Sequence, residues 1–212
     1  MKQLGLDYDI DVQPDPRKAP KGKVPYLIAD DRTIADSELI VEYLNDITQG
    51  RVFDGLSAKD RAVGLALTRL VDDHLYWIFV ASRWLDDEWF PNIVEGFFHI
   101  APRPIRGFIA RQARKEITQT YHLQGLGRHT QAEQEGFARR DLQALQDAVH
   151  GDGFLFADEP CVYDFALASF MAGVFDQQPA TWMTHVANEY GGLKEYTERV
   201  QQQVGVFGRA IQ

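Results

Sequence analysis

A chain of 212 residues, 45% hydrophobic and 25% charged, carries enough apolar side chains for one large domain or two small ones. Its net charge of -9 disfavours non-specific attachment to nucleic acid or to anionic membrane surfaces. A single cysteine, Cys161, excludes an intramolecular disulfide and fits a reducing compartment, and the longest apolar run, Leu75 to Ala81, is far short of the roughly 18 residues of a membrane span. With no apolar run at the start that would make a signal peptide, the expected location is cytoplasmic.

In chain order, Met1 to Leu6 reads as the end of a helix closing on Gly5, and Tyr8 to Val12 alternates apolar residues with Asp as an exposed strand does. Gln13 to Lys21 is basic and too broken by Pro14, Pro16 and Pro20 for a regular helix. Val24 precedes Pro25 and is pushed toward extended backbone, and a cis bond there makes a tight turn that leaves the Val24 backbone groups facing outward. Tyr26–Ala29 and Thr33–Ala35, around Asp30 and Asp31, predict a hairpin. Ser37 stands where a helix cap belongs, followed by Leu39, Ile40, Tyr43, Leu44 and Ile47 at helical spacing. The exposed N–H groups of such a helix start suit a carboxylate or phosphate.

The glycines between Gln49 and Leu56 place a domain boundary there, giving domains 1–50 and 57–212. Ser57 and Asp60 imitate a capping box, and apolar positions then recur to about Leu85 as one long helix. Further helices are expected near Asp87–Ile100, Pro104–His122, Gln131–His150, Tyr163–Phe175, Ala180–Tyr190 and Leu193–Val204. The second domain is thus all-helical.

The stretch GKVPYLIADDRTIADSELIVEYL, Gly22 to Leu44, resembles the glutathione-binding half of the glutathione transferase family. The resemblance implies a thioredoxin-like α/β domain before the all-α domain, with glutathione as co-substrate. By the same resemblance Val24, beside a cis Pro25, offers its backbone N–H and C=O to the cysteinyl part of glutathione. Asp36 and Ser37 hold the γ-glutamyl end, and Lys23 lies where some members bind the glycyl carboxylate. FLFADEPCVYDFALASFM, further on, is similar to the family's buried helix start, with Asp164 closing the first turn onto Cys161, where Ser or Thr is usual.

Compared with that family, the first strand and the start of the first helix are missing. The resemblance therefore places the catalytic Tyr, Ser or Cys upstream of Met1, and the expectation is a chain whose true start lies earlier. Tyr8 falls too late to substitute. The implied reaction is attack of the glutathione thiolate on a small electrophile by a homodimer. The aromatic run HLYWIFVASRW looks similar to the failed-axon-connections and metaxin subgroup, which implies a binding or scaffold role as the alternative. Glutathione-dependent reductase or peroxidase chemistry is a third reading and needs a cysteine in the missing segment.

Among the residues of that run and its surroundings, His74, Tyr76, Arg83, Trp84 and Trp89 are candidates to line the electrophile pocket, while Trp77 reads as core. Asp72, Asp73, Asp86 and Asp87 read as solvated acids, so no metal is expected. Arg103, Arg106, Arg111 and Arg114 form a basic stripe that reads as paired with neighbouring acids. His99, His122, His129 and His150 lack ligand spacing, and no phosphate loop or Ser-His-Asp pattern is present.

Overall fold

Asp30 and Asp31 reverse the chain between β1 (Tyr26–Ala29) and β2 (Arg32–Ala35), which pair antiparallel with Tyr26 opposite Ala35 and Ala29 opposite Arg32. Asp30 takes the positive φ of 52° that a two-residue turn requires, a conformation Asp tolerates better than most residues. The computed structural model describes residues 1–13, 15–149 and 151–205. It divides into two compact units, Met1–Arg61 and Ala62–Gln212, with the division falling inside a helix.

In the first unit α1 (Ser37–Ile47) packs on the hairpin, and Leu44 of α1 and Ala35 of β2 are both buried. This helix is capped by Asp36, not by Ser37 as its sequence suggests. Asp36 Oδ1 accepts the Glu38 N–H at 3.0 Å, and Ser37 already belongs to the first turn. The carboxylate reaches the second N–H of the helix from the position just outside it, which is what a cap needs. Thr48 closes the other end, its hydroxyl donating to Leu44 O at 2.6 Å. Lys2–Leu4 forms a single 3-10 turn ending on Gly5, at φ 68°.

Tyr8 to Val12 is not a strand. The sheet of the described residues has only β1 and β2, so this segment finds no ladder partner, and Ile10 and Val12 stand in solvent. The proline-rich connection forms two short 3-10 turns, Pro16–Lys18 and Pro20–Gly22. Pro14 and His150 lie outside the described residues, so the expected end of a helix at His150 does too.

The second unit is helical throughout its described residues. The expected long helix is three pieces: α2 (Ala58–Arg69), a π-helical turn (Leu70–Leu75) and α3 (Tyr76–Trp84). Ser57 and Asp60 do close a capping box ahead of it, at 2.9 and 3.1 Å. The π turn inserts one extra residue and so rotates the apolar face. Val71, Leu75, Ile78 and Phe79 are all buried along this run.

Then follow α4 (Phe90–Phe97), α5 (Arg103–Gln124), α6 (Gln131–Ala148), α7 (Val162–Phe175), α8 (Trp182–Ala187) and α9 (Gly191–Val204). Helix α7 is apolar nearly all round and lies in the core against α8 and α9, with Leu167, Met171 and Val174 buried. A smaller cluster, Trp89, Phe90, Ile93 and Ala110, joins α4 to α5.

Gly64 lets α2 approach α7. A Cβ there meets the Tyr163 ring at 2.3 Å, a distance no real contact allows. Gly64→Ala is expected to cost about 1 to 3 kcal/mol, as overpacking does, despite the better helix propensity of alanine. A lowered midpoint in urea unfolding checks this; an unchanged or raised one contradicts it.

Candidate functional site

The hairpin register builds the site. Tyr26 pairs with Ala35, so Pro25 and Asp36 are the next residues on the two arms at the same end of the hairpin, with Val24 and Ser37 one step beyond. One end of the hairpin thus holds all four residues. The Val24–Pro25 peptide is cis. Val24 is 50% exposed, and its N–H and C=O make no hydrogen bond among the described residues. A backbone pair left open beside a strand is a template for pairing with an extended peptide.

One residue past β2 and Asp36, α1 begins at Ser37. The Ser37 hydroxyl is exposed and makes no hydrogen bond among the described residues, because Asp36 has taken the capping role. Asp36 sits at φ 108° and ψ 134°, a conformation L-residues rarely adopt. The chain has to enter the helix at that angle to bring both the Asp36 carboxylate and the Ser37 hydroxyl to the hairpin end.

The basic connection frames the same end. Lys21, also at positive φ, donates from Nζ to Ala35 O at 3.1 Å, so it buttresses the end of β2. Arg17 is taken up by Asp15 in a two-pronged contact with both distances 2.9 Å. That bond holds the Asp15 carboxyl down at about 2, below the usual carboxylate range. Lys18 and Lys23 remain exposed, without an acidic partner among the described residues.

In the helical unit the aromatic candidates divide. Trp77 stacks on buried Tyr121 at 6.3 Å between centroids and packs against the core, as its helical spacing suggests. Trp84 packs among Phe90, Phe97 and Phe98, and Trp89 donates its indole N–H to Pro179 O at 3.0 Å. His74 lies in the π turn and bonds Asp141 of α6; burial raises the Asp141 pKa although His74 opposes the rise. Arg83 lies over the Phe79 ring at 4.0 Å, with Nε buried and unpaired among the described residues. Burial lowers its pKa. Asp86 caps α4 by accepting the Glu88 and Trp89 N–H groups at 2.8 and 3.0 Å, and Asp87 pairs with Arg114 at 2.8 Å.

Cys161 belongs to the start of α7. Burial, with the Asp164 charge beside it, pushes its thiol up to about 12. At pH 8 only about one thiol in ten thousand is then ionised. Cys161 is therefore expected to resist thiol-modifying reagents in the native protein and to react at once after unfolding. Equal labelling rates in both states contradict this.

A model of the glutathione S-transferase N-terminal domain matches residues 1–89. The isoprene-epoxide glutathione S-transferase of Rhodococcus sp. (strain AD45) is 32% identical over 195 residues, covering 89% of this chain and 80% of that enzyme. The chain belongs to the glutathione transferase family.

Failed axon connections of Drosophila melanogaster is a further relative of this transferase-like chain, 27% identical over 176 residues. The match covers 77% of this chain and 41% of that protein, so the chain spans well under half of its length. No solved structure matches significantly. The fold of the family, a small α/β unit followed by a helical one, is the fold described above.

One contact at the hairpin end and one in the helical unit have no signal at the level of single residues. Lys21 bracing Ala35 depends on the connection folding back over the hairpin, across 14 positions. The His74–Asp141 pair joins residues 67 positions apart. A pattern search along the chain weighs neighbours within a helical turn or two, and neither pair falls within that range.

Proposed function

We propose that this protein binds glutathione across the open end of the hairpin and transfers its thiol to a small electrophile. The observation that carries the reading is the exposed Val24 beside Pro25, its backbone groups without a hydrogen bond among the described residues, at the hairpin end from which α1 also starts. In this reading the cysteinyl backbone of the peptide pairs with Val24 N–H and C=O beside Pro25. The γ-glutamyl carboxylate accepts from the Ser37 hydroxyl and the first N–H groups of α1, where the helix dipole favours negative charge. The Asp36 oxygen not occupied by capping takes the γ-glutamyl ammonium. Lys23 meets the glycyl carboxylate as an exposed point charge.

The unusual backbone of Asp36 supports the reading, since such conformations persist where surrounding structure holds them for a purpose such as clamping a ligand. The electrophile is a small neutral molecule, by analogy with the relative named for isoprene epoxide. The protein works in the cytoplasm as a homodimer. Retention on immobilised glutathione, together with conjugation of a generic aryl halide or epoxide, supports the transferase reading; no retention overturns it.

The match to Failed axon connections favours a second reading, in which the same fold holds glutathione or a peptide without turning it over. Retention with no conjugation of either electrophile selects that reading.

Binding by charge also sets a salt dependence. Lys23 and Lys18 are exposed, so their attraction for a doubly carboxylated peptide is screened within about 8 Å at physiological ionic strength. Glutathione affinity is expected to fall as sodium chloride is raised, and Lys23→Ala to flatten that dependence. Calorimetric titration at two salt concentrations measures both; a salt-independent affinity contradicts the placement of Lys23.

A further inference from the structure

Between Glu95 and Glu116 the chain carries Arg103, Arg106, Arg111, Arg114 and Lys115 and no acid, although its net charge is -9. Two of these cations brace the local fold. Arg106 bonds Glu95 at 2.8 Å and the carbonyls of His99 and Ala101, and Arg114 bonds Asp87 at 2.8 Å and Leu85 O at 2.7 Å. Arg103, Arg111 and Lys115 are exposed and have no acidic partner among the described residues.

The same stretch exposes large apolar side chains. Phe97 at the end of α4 is 61% exposed, Ile100 in the connection 69%, and Ile105 and Phe108 in the first turns of α5 49% and 68%. Ile105, Phe108, Arg111 and Lys115 follow at spacings of three and four, so they share one side of α5. Their helix is held from its other side by Ala110 against Trp89, Phe90 and Ile93. Four such side chains gathered at one helical hairpin are a patch, unlike single exposed apolar residues.

We propose that the α4–α5 hairpin tip is a docking surface for an anionic lipid bilayer. An apolar tip flanked by unpaired cations matches, in sign and in chemistry, an interface with negative headgroups above acyl chains. The overall charge of the protein does not forbid it. Charges farther off than a Debye length of about 8 Å are screened, so at contact the local sign governs. A symmetric contact between two copies through this patch sets three unpaired cations against three and is disfavoured by that repulsion. Among the described residues no helix is long and apolar enough to cross a membrane, so attachment lies in the interface.

Sedimentation with vesicles tests the proposal, using phosphatidylcholine alone and phosphatidylcholine mixed with phosphatidylserine. Binding is expected to the mixed vesicles only, and to fall as salt is raised. Arg111→Glu with Lys115→Glu is expected to weaken partitioning by about twentyfold or more, from roughly fivefold per basic residue near such a surface. Ile100→Ser with Phe108→Ser is expected to abolish it while leaving the far-UV spectrum and the melting temperature unchanged. Retention on immobilised glutathione stays as in the unaltered protein for both variants, which separates this outcome from failure of the glutathione site.

Equal binding to neutral and anionic vesicles, or none to either, overturns the proposal. So does a charge-reversed variant that binds undiminished. If analytical ultracentrifugation shows instead that these variants dissociate an oligomer while vesicle binding is absent, the patch is an interface between copies and the lipid reading fails.

Discussion

Asp164→Ala is expected to destabilise the protein by about 3 kcal/mol or more, a large share of the stability of an ordinary domain. The Asp164 carboxylate is wholly buried at the start of α7. It accepts three donors: Leu155 N–H at 2.9 Å, Cys161 N–H at 2.8 Å and the Tyr196 hydroxyl at 2.7 Å. Those donors come from the segment before α7, from its cap and from α9, so one side chain ties three pieces of backbone together. Truncation leaves all three without an acceptor in a site shielded from water, and each such loss costs about 1 to 3 kcal/mol.

Controls separate this from simple loss of volume. Asp164→Asn keeps one acceptor oxygen and is expected to fall between the alanine variant and the unaltered protein. Tyr196→Phe removes one donor, leaves the carboxylate its two backbone partners, and is expected to cost about 1 kcal/mol. The urea midpoint followed by circular dichroism reads all three. An alanine variant within half of the Tyr196→Phe loss shows that the carboxylate is not the tie. The Tyr196 phenol, raised in pKa by burial first and by the Asp164 charge second, stays a donor throughout the usual pH range.

Ser37→Ala is expected to weaken glutathione binding by about tenfold or more, the usual loss when a hydrogen bond to a charged group is removed. Stability is expected to be nearly unaffected, because the Ser37 hydroxyl has no bond within the described protein and the helix is capped by Asp36. Asp36→Ala gives the opposite balance for the fold. It removes the cap, costing about 1 kcal/mol, and it also loses the contact proposed for the γ-glutamyl ammonium. Asp36→Asn restores the cap but not the charge. Calorimetric titration of glutathione alongside thermal unfolding separates the two residues. Unaltered affinity in Ser37→Ala, or a stability loss as large as that of Asp36→Ala, rejects the assignment of Ser37 to the ligand.

Much of the α/β unit was legible because its signals are local. Two acids between two short apolar runs define a reversal, and the register that follows pairs Tyr26 with Ala35, so Pro25 and Asp36 leave the same end of the hairpin. The capping pair Ser57 and Asp60, three positions apart, is equally local. The positions of the helices in the second unit follow from apolar recurrence, since each helix has to bury one side. Their ends are less accurate. Asp87–Ile100 shrinks to Phe90–Phe97 because Asp86 caps from outside and Phe97 is left in solvent.

Sequence by itself thus determined what depends on neighbours along the chain: the hairpin, the helices, and which residues meet at the hairpin end. Tertiary structure alone decided that Asp36 caps α1 in place of Ser37, because both are good caps and only the entry angle of the backbone chooses between them. It decided the π turn of Leu70–Leu75, where apolar recurrence along the chain reads as one unbroken α-helix. It also decided which cations of α5 are paired and which stand free beside Phe108, since Asp87 and Glu95 reach Arg114 and Arg106 from other turns of the chain. Such pairings are set by distances through space, and a string of residue types carries those only where they coincide with distances along the chain.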